Sequence, residues 1–126
     1  MYFDSRPMLV AVILSLSLMI SCVSAEQKAK IQELRQLAAE IPKLPDFEQV
    51  DYSDISKPEN TVVAYFYHSS ASYVAVKSFY TTELAARGWS SPLDEPITNW
   101  GNQNGSRRLV FNKGNYTIDV EYEAGP

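Results

Sequence analysis

The stretch Thr61 to Trp89, TVVAYFYHSSASYVAVKSFYTTELAARGW, limits the fold more than any other part of the chain. Val62, Val63, Tyr65, Phe66 and Tyr67 are β-branched or aromatic, which predicts a strand. Alternation divides it into Val62/Ala64/Phe66/His68 and Val63/Tyr65/Tyr67. Both sets are largely apolar, so the strand is expected in the middle of a sheet with both faces at least partly covered. Ser69 and Ser70 are expected to supply the oxygen that caps the next helix. In that helix Tyr73, Val76, Phe79, Tyr80 and Leu84 form an inward stripe at helical spacing. Gly88 is placed to end it in the left-handed conformation, with Trp89 folding back on the last turn.

The C-terminal third reads as sheet added to that unit. Arg107 to Asn112 is an expected strand with Leu109 and Phe111 inward, and Lys113-Gly114 is a hairpin turn. Tyr116 to Glu123 alternates cleanly, with Tyr116, Ile118, Val120 and Tyr122 on one face and Thr117, Asp119, Glu121 and Glu123 on the other. Ser90 to Asn99 contains Pro92 and Pro96 and reads as a loop or ragged strand, and Asn99 to Gly105 as a flexible turn. Phe47 to Tyr52 is expected to make a short edge strand, followed by a loop over Ser53 to Asn60. The expected fold is α+β: an antiparallel sheet of about four strands, one main helix packed on one face, and a preceding N-terminal helix.

The beginning of the chain carries a different signal. Met8 to Ile20 is an unbroken run dominated by apolar residues, preceded by Arg6 and Pro7 and followed by small polar residues. It has the length of a signal-peptide core and falls short of the roughly 20 residues of a membrane span. Leu18-Met19-Ile20-Ser21-Cys22 resembles a bacterial lipobox, in which the cysteine is lipidated and becomes the mature N-terminus. Val23-Ser24-Ala25 offers an ordinary signal-peptidase site before Glu26, and an uncleaved anchor is the third possibility. The preferred division is residues 1–25 as leader, 26–45 as a helical stalk with a Pro-containing linker, and 46–126 as a small α+β domain. In the second of these, Ile31, Leu34, Leu37 and Ala38 make a narrow apolar stripe that serves equally a spacer and a helix packed on its own domain.

Phe79-Tyr80, then Leu84, then Gly88-Trp89, followed by strands ending in a charged hairpin, resembles small exported bacterial domains of unknown function. The resemblance covers residues 60–122. It implies a strand, a helix and an antiparallel sheet behind a signal or lipobox, and it carries over no catalytic residue. Val23 after the cysteine, by resemblance to Gram-negative lipoproteins, implies the outer membrane and a periplasmic position, with secretion as the alternative.

Composition narrows the chemistry. The net charge is −4 and the pI about 4.9, so no basic stripe is available for nucleic acid. Cys22 is the lone cysteine and His68 the lone histidine, which leaves no intrachain disulfide and no cluster of thiolates or imidazoles for a metal. No cofactor is implied. His68 could act as a general base oriented by Asp51, Asp54 or Glu83, but a histidine closing a strand end is the simpler account. Ser69-Ser70-Ala71-Ser72 lacks the glycine-flanked elbow of a serine hydrolase, and Asp119 and Glu121 read as a solvated strand face. The chain is therefore read as an exported, lipid-anchored, non-catalytic binding or structural module. Its membrane partner is engaged through Cys22, and an envelope protein is engaged through a surface containing Tyr65, Tyr67 and Trp100. The alternatives are a secreted protein-binding or inhibitor domain and a small hydrolase using His68.

Overall fold

The structure is a computed structural model that describes residues 8–17, 24–57, 59–99 and 102–123. Its elements in chain order are β1 (Met8–Ser17), α1 (Ser24–Ala39), β2 (Glu48–Lys57), β3 (Asn60–Ser69), α2 (Tyr73–Ala85), β4 (Leu93–Asn99), β5 (Asn102–Lys113) and β6 (Tyr116–Glu123). All six strands form one antiparallel sheet in the order β2-β3-β1-β6-β5-β4. Six strands and two helices replace the expected sheet of about four strands with one main helix.

Each added strand has a physical reason. The run expected to be a leader or an uncleaved anchor forms β1, paired with β3 on one side and β6 on the other. A short apolar run fits a leader core and a buried strand equally well, because neither needs a polar face. β2 extends through the stretch expected to be a loop. As an edge strand it tolerates polar residues on most positions, and only Tyr52 and Ser56 turn partly inward. β4 forms despite Pro96 because it too is an edge, and its pairing with β5 slips between Pro96 and Thr98.

The core lies on the face of the sheet that carries both helices. Val10, Val12 and Leu14 of β1 stand in cross-strand rows with Tyr67, Tyr65 and Val63 of β3 and with Tyr122, Val120 and Ile118 of β6. Leu109 and Phe111 continue these rows on β5. α1 lies across β2, β3 and β1, with Leu34 fully buried and Ile31, Leu37 and Ala38 packed on the core. It is a packed helix in this structure, the second of the two roles its apolar stripe allowed. α2 buries Val76, Tyr80 and Leu84.

The caps of α2 tie it to its surroundings. Ser72, two residues beyond the expected pair, is the N-cap, and its Oγ accepts from the Ala75 N–H at 3.1 Å. Ser69 and Ser70 instead donate to the Asp46 carboxylate, as does the Ser70 N–H at 2.8 Å. These bonds tie the α1–β2 connection to the end of β3, and the Ser70 backbone bond leads the effects that lower the Asp46 pKa. At the other end Gly88 has φ 87° and Trp89 N–H donates to the Leu84 carbonyl at 3.0 Å, closing the helix and burying the indole.

Truncating the core should cost far more than truncating the helix surface. Phe111→Ala is expected to lose about 3–5 kcal/mol, while Val74→Ala, on a residue 73% exposed, should stay within about 0.5 kcal/mol. Urea denaturation of the two variants checks this through their midpoints at unchanged slope.

Candidate functional site

The two helices leave a cleft between them above β1. It has a volume of about 130 Å³, with Val12, Leu14, Tyr65 and Tyr67 from the sheet, Arg35, Ala38 and Ala39 from α1, Ile41 and Lys43 from the following turn, and Tyr80 from α2. The lining follows from strand alternation, since Val12, Leu14, Tyr65 and Tyr67 all point to the helix face. Phe47 stacks on Tyr67 with ring centroids 5.1 Å apart. Tyr52 meets Tyr65 edge-on at 5.0 Å. Two cations stand over the rings: Lys43 Nζ lies 5.7 Å from the centre of Tyr67 and Arg35 Cζ 5.4 Å from that of Tyr52. Burial pushes the Tyr67 hydroxyl up to about 12 and, with help from Asp54, the Tyr52 hydroxyl to about 12. Both phenols are therefore neutral at physiological pH.

Chemically this cleft offers apolar surface, phenol hydroxyls and two cations. Among the described residues its lining has no carboxylate, imidazole, thiol or aliphatic hydroxyl. Its size is close to that of the ~150 Å³ apolar cavity that takes one benzene ring, and its positive rim suits an apolar group ending in an anion.

The residues singled out from sequence separate in space. Tyr65 and Tyr67 share the cleft, but Tyr67 is 3% exposed and much of both rings is committed to packing. Cys22 and Trp100 lie outside the described residues. His68 is exposed near the end of β3 and pairs across the strand with Glu48. The three carboxylates considered as its orienters are engaged elsewhere or distant in register. Asp51 accepts from the Tyr52 N–H, Glu83 binds Arg87, and Asp54 pairs with Val63. Asp119 and Glu121 lie on the helix-free face, with Glu121 opposite Arg108 and Asp119 Oδ1 3.8 Å from Arg108 Nε. They are less solvated than a plain outer face implies, and burial raises the pKa of both. Arg35, Lys43 and Ile41 were missed as cleft residues. Their only signal was position in a helix and a Pro-flanked turn, which does not say which strand they will meet.

A second polar cluster sits at the β4 side of α2. Asp94 receives Lys77 Nζ at 2.8 Å and Arg107 Nε at 2.9 Å, and Arg107 in turn lies over the Tyr73 ring at 5.7 Å. Arg107 does not face Glu121 or Glu123, the acids of β6. Its cross-strand neighbours are instead Tyr122 and Pro96, which turns it to the helix face. Among the described residues no group of three or more His, Cys, Asp or Glu side chains is placed to hold a metal, and no helix is long and apolar enough to cross a membrane. Compared with protein-family models, curated proteins and solved structures, the chain matches none of them.

The Asp94 cluster predicts a pH signature. Desolvation works to raise its pKa, but the bonds from Lys77 and Arg107, with the nearby Tyr73 hydroxyl, outweigh it and hold the carboxyl at about 2. The ordinary aspartate value is about 3.9. A carboxyl whose pKa is depressed on folding adds stability above the unfolded value and loses it as pH falls through the folded one. Asp94→Asn should therefore lower stability at neutral pH and flatten the loss between pH 4 and 2. Urea denaturation across that range reads both effects.

Proposed function

We propose that this chain is an exported, lipid-anchored envelope protein with a non-catalytic binding or structural role. The observation that carries the reading is positional. Cys22 stands between the end of the apolar β1 segment at Ser17 and the start of α1 at Ser24. An acyl anchor there would leave α1 and everything after it as the mature protein. Because α1 packs on the sheet, the anchor would hold the domain close to the membrane surface. Two or more acyl chains would make that attachment stable, where a single chain is marginal.

The commitments of the charged residues favour the non-catalytic part. Asp46, Asp94, Glu95 and Glu83 are bound to Ser69/Ser70, Lys77/Arg107, Arg108 and Arg87 respectively. The first three join separate parts of the fold, and the Glu83–Arg87 pair spans one turn at the end of α2. A small hydrolase would need an oriented His68, and its nearest strand partner, Glu48, belongs to an exposed edge.

The cleft supports a second reading. If the chain is left unprocessed and β1 stays in the sheet, it binds a small apolar anion between α1 and α2. Benzoate, a single ring with a carboxylate, is the simplest probe. It should shift the NMR resonances of Tyr65 and Tyr67 in the unprocessed chain, and Lys43→Ala with Arg35→Ala should weaken the response several-fold.

Intact mass spectrometry of the membrane-fraction protein, with and without Cys22→Ser, tests the principal reading. The expected product begins at acylated Cys22 and disappears in the variant. A lipid-free chain beginning at Glu26 would replace the anchored protein by a secreted one, and a chain beginning at Met1 would reject both cleavage sites.

A further inference from the structure

β1 occupies the centre of the sheet, yet the reading above removes it. Every residue of β1 precedes Cys22, so cleavage there takes out the strand between β3 and β6. We propose that removal of the leader closes the sheet. β3 and β6 then pair directly, and the mature domain is a five-stranded sheet in the order β2-β3-β6-β5-β4. This inference rests on the processing assumed above.

The geometry favours closure in four ways. First, direction: β1 is antiparallel to both neighbours, so β3 and β6 are parallel to each other. A parallel pair needs a crossover of a dozen or more residues, and residues 70–115, including α2, provide it. Second, facing: Leu14 lies between Val63 and Ile118, and Val12 between Tyr65 and Val120. Those flanking pairs already share the helix face, so closing the gap by one strand leaves every apolar side chain on its present side.

Third, the two helices are held by different sides of β1. α1 rests on β2, β3 and β1. α2 is tied to the other half, with Tyr122 Oη donating to the Ala71 carbonyl at 3.1 Å. At its far end Lys113 Nζ donates to the Arg87 carbonyl at 2.7 Å and Ser90 N–H to the Asn112 carbonyl at 2.9 Å. Each half therefore carries its own helix, with the link after Ser70 as the hinge, since Asp46 holds Ser69 and Ser70 to the first half, and the Phe47 and Tyr80 rings, 6.3 Å apart, meet across the division. Fourth, there is room. Neighbouring strands are ~4.8 Å apart, so β3 and β6 approach by about that distance. The cleft of about 130 Å³ between the helices lies directly above the strand that leaves.

The driving force is the exposure left behind. Without β1, two strand edges in the middle of the core present unpaired N–H and C=O groups, along with the apolar surfaces of Val63, Ile118 and Val120. Pairing β3 with β6 satisfies both within one molecule. Closure also shuts the tyrosine cleft, so the small-anion site is a property of the unprocessed chain.

NMR on two forms of the whole protein tests this: the unprocessed chain made by cell-free synthesis without membranes, and the processed chain purified from membranes of an exporting host. The mass of each sample is measured first. In the processed chain, backbone nuclear Overhauser contacts should connect β3 to β6, around Val63–Tyr65 and Ile118–Val120. In the unprocessed chain those contacts should be replaced by β1–β3 and β1–β6 contacts. A processed mass without β3–β6 contacts would overturn closure while leaving the export reading intact. A membrane protein whose mass still includes Met1 would overturn closure and the processing reading together.

Discussion

The two-sided pairing of β1 is the interaction on which the rest of this structure depends. Ten residues of β1 pair with β3 and eight with β6, and its inward side chains Val10, Val12 and Leu14 are buried at the point where the two halves of the core meet. A strand hydrogen-bonded on both edges has no polar backbone left to satisfy. Its side chains can therefore be almost entirely apolar, and this one's are. Those same properties make it readable as an export leader. A hydrophobic segment without charge is suited to any environment without water.

Around that centre, polar interactions set positions more than they add stability. Asp46 gathers Ser69 and Ser70 where β3 turns into α2, and Asp94 gathers Lys77 and Arg107 where α2 passes β4. The side chains in the Asp94 group are partly exposed, a setting in which single ion pairs are worth about 0–1 kcal/mol. What these groups do is fix where the approach to α2 and its first turns lie against the strands. The stabilising weight falls on the buried rows of Val, Ile, Leu and aromatic rings that run from β3 through β1 and β6 to β5.

The elements legible in the sequence were those whose residues obey one period. Tyr116 to Glu123 alternates without a fault and is β6, and Val76, Tyr80 and Leu84 recur at helical spacing and are buried in α2. β2 and β4 were hard to read because edge strands carry few inward residues. Ser53 and Asp54 look like a loop and are exposed, yet their backbone pairs with β3. Of the candidate surface, Tyr65 and Tyr67 do lie in one cleft, but the sequence could not show that Phe47 and Tyr52 would cover them or that Arg35 and Lys43 would stand at its rim. These contacts join residues far apart in the chain, and no local pattern records them.

Local pattern and composition specify the strand–helix unit from Thr61 to Trp89, the alternation of β6, the acidic charge and the single cysteine and histidine. Each is a property of neighbouring residues or of composition. The tertiary structure alone decided that Met8–Ser17 is a central strand and that α1 packs on the sheet. It also decided that Arg107 turns to Asp94 and that a tyrosine-lined cleft separates the helices. An apolar segment is indifferent among a leader, a membrane and a core until partners are present. Only the unpaired edges of β3 and β6, brought to either side of it, give Met8–Ser17 the backbone partners of a strand.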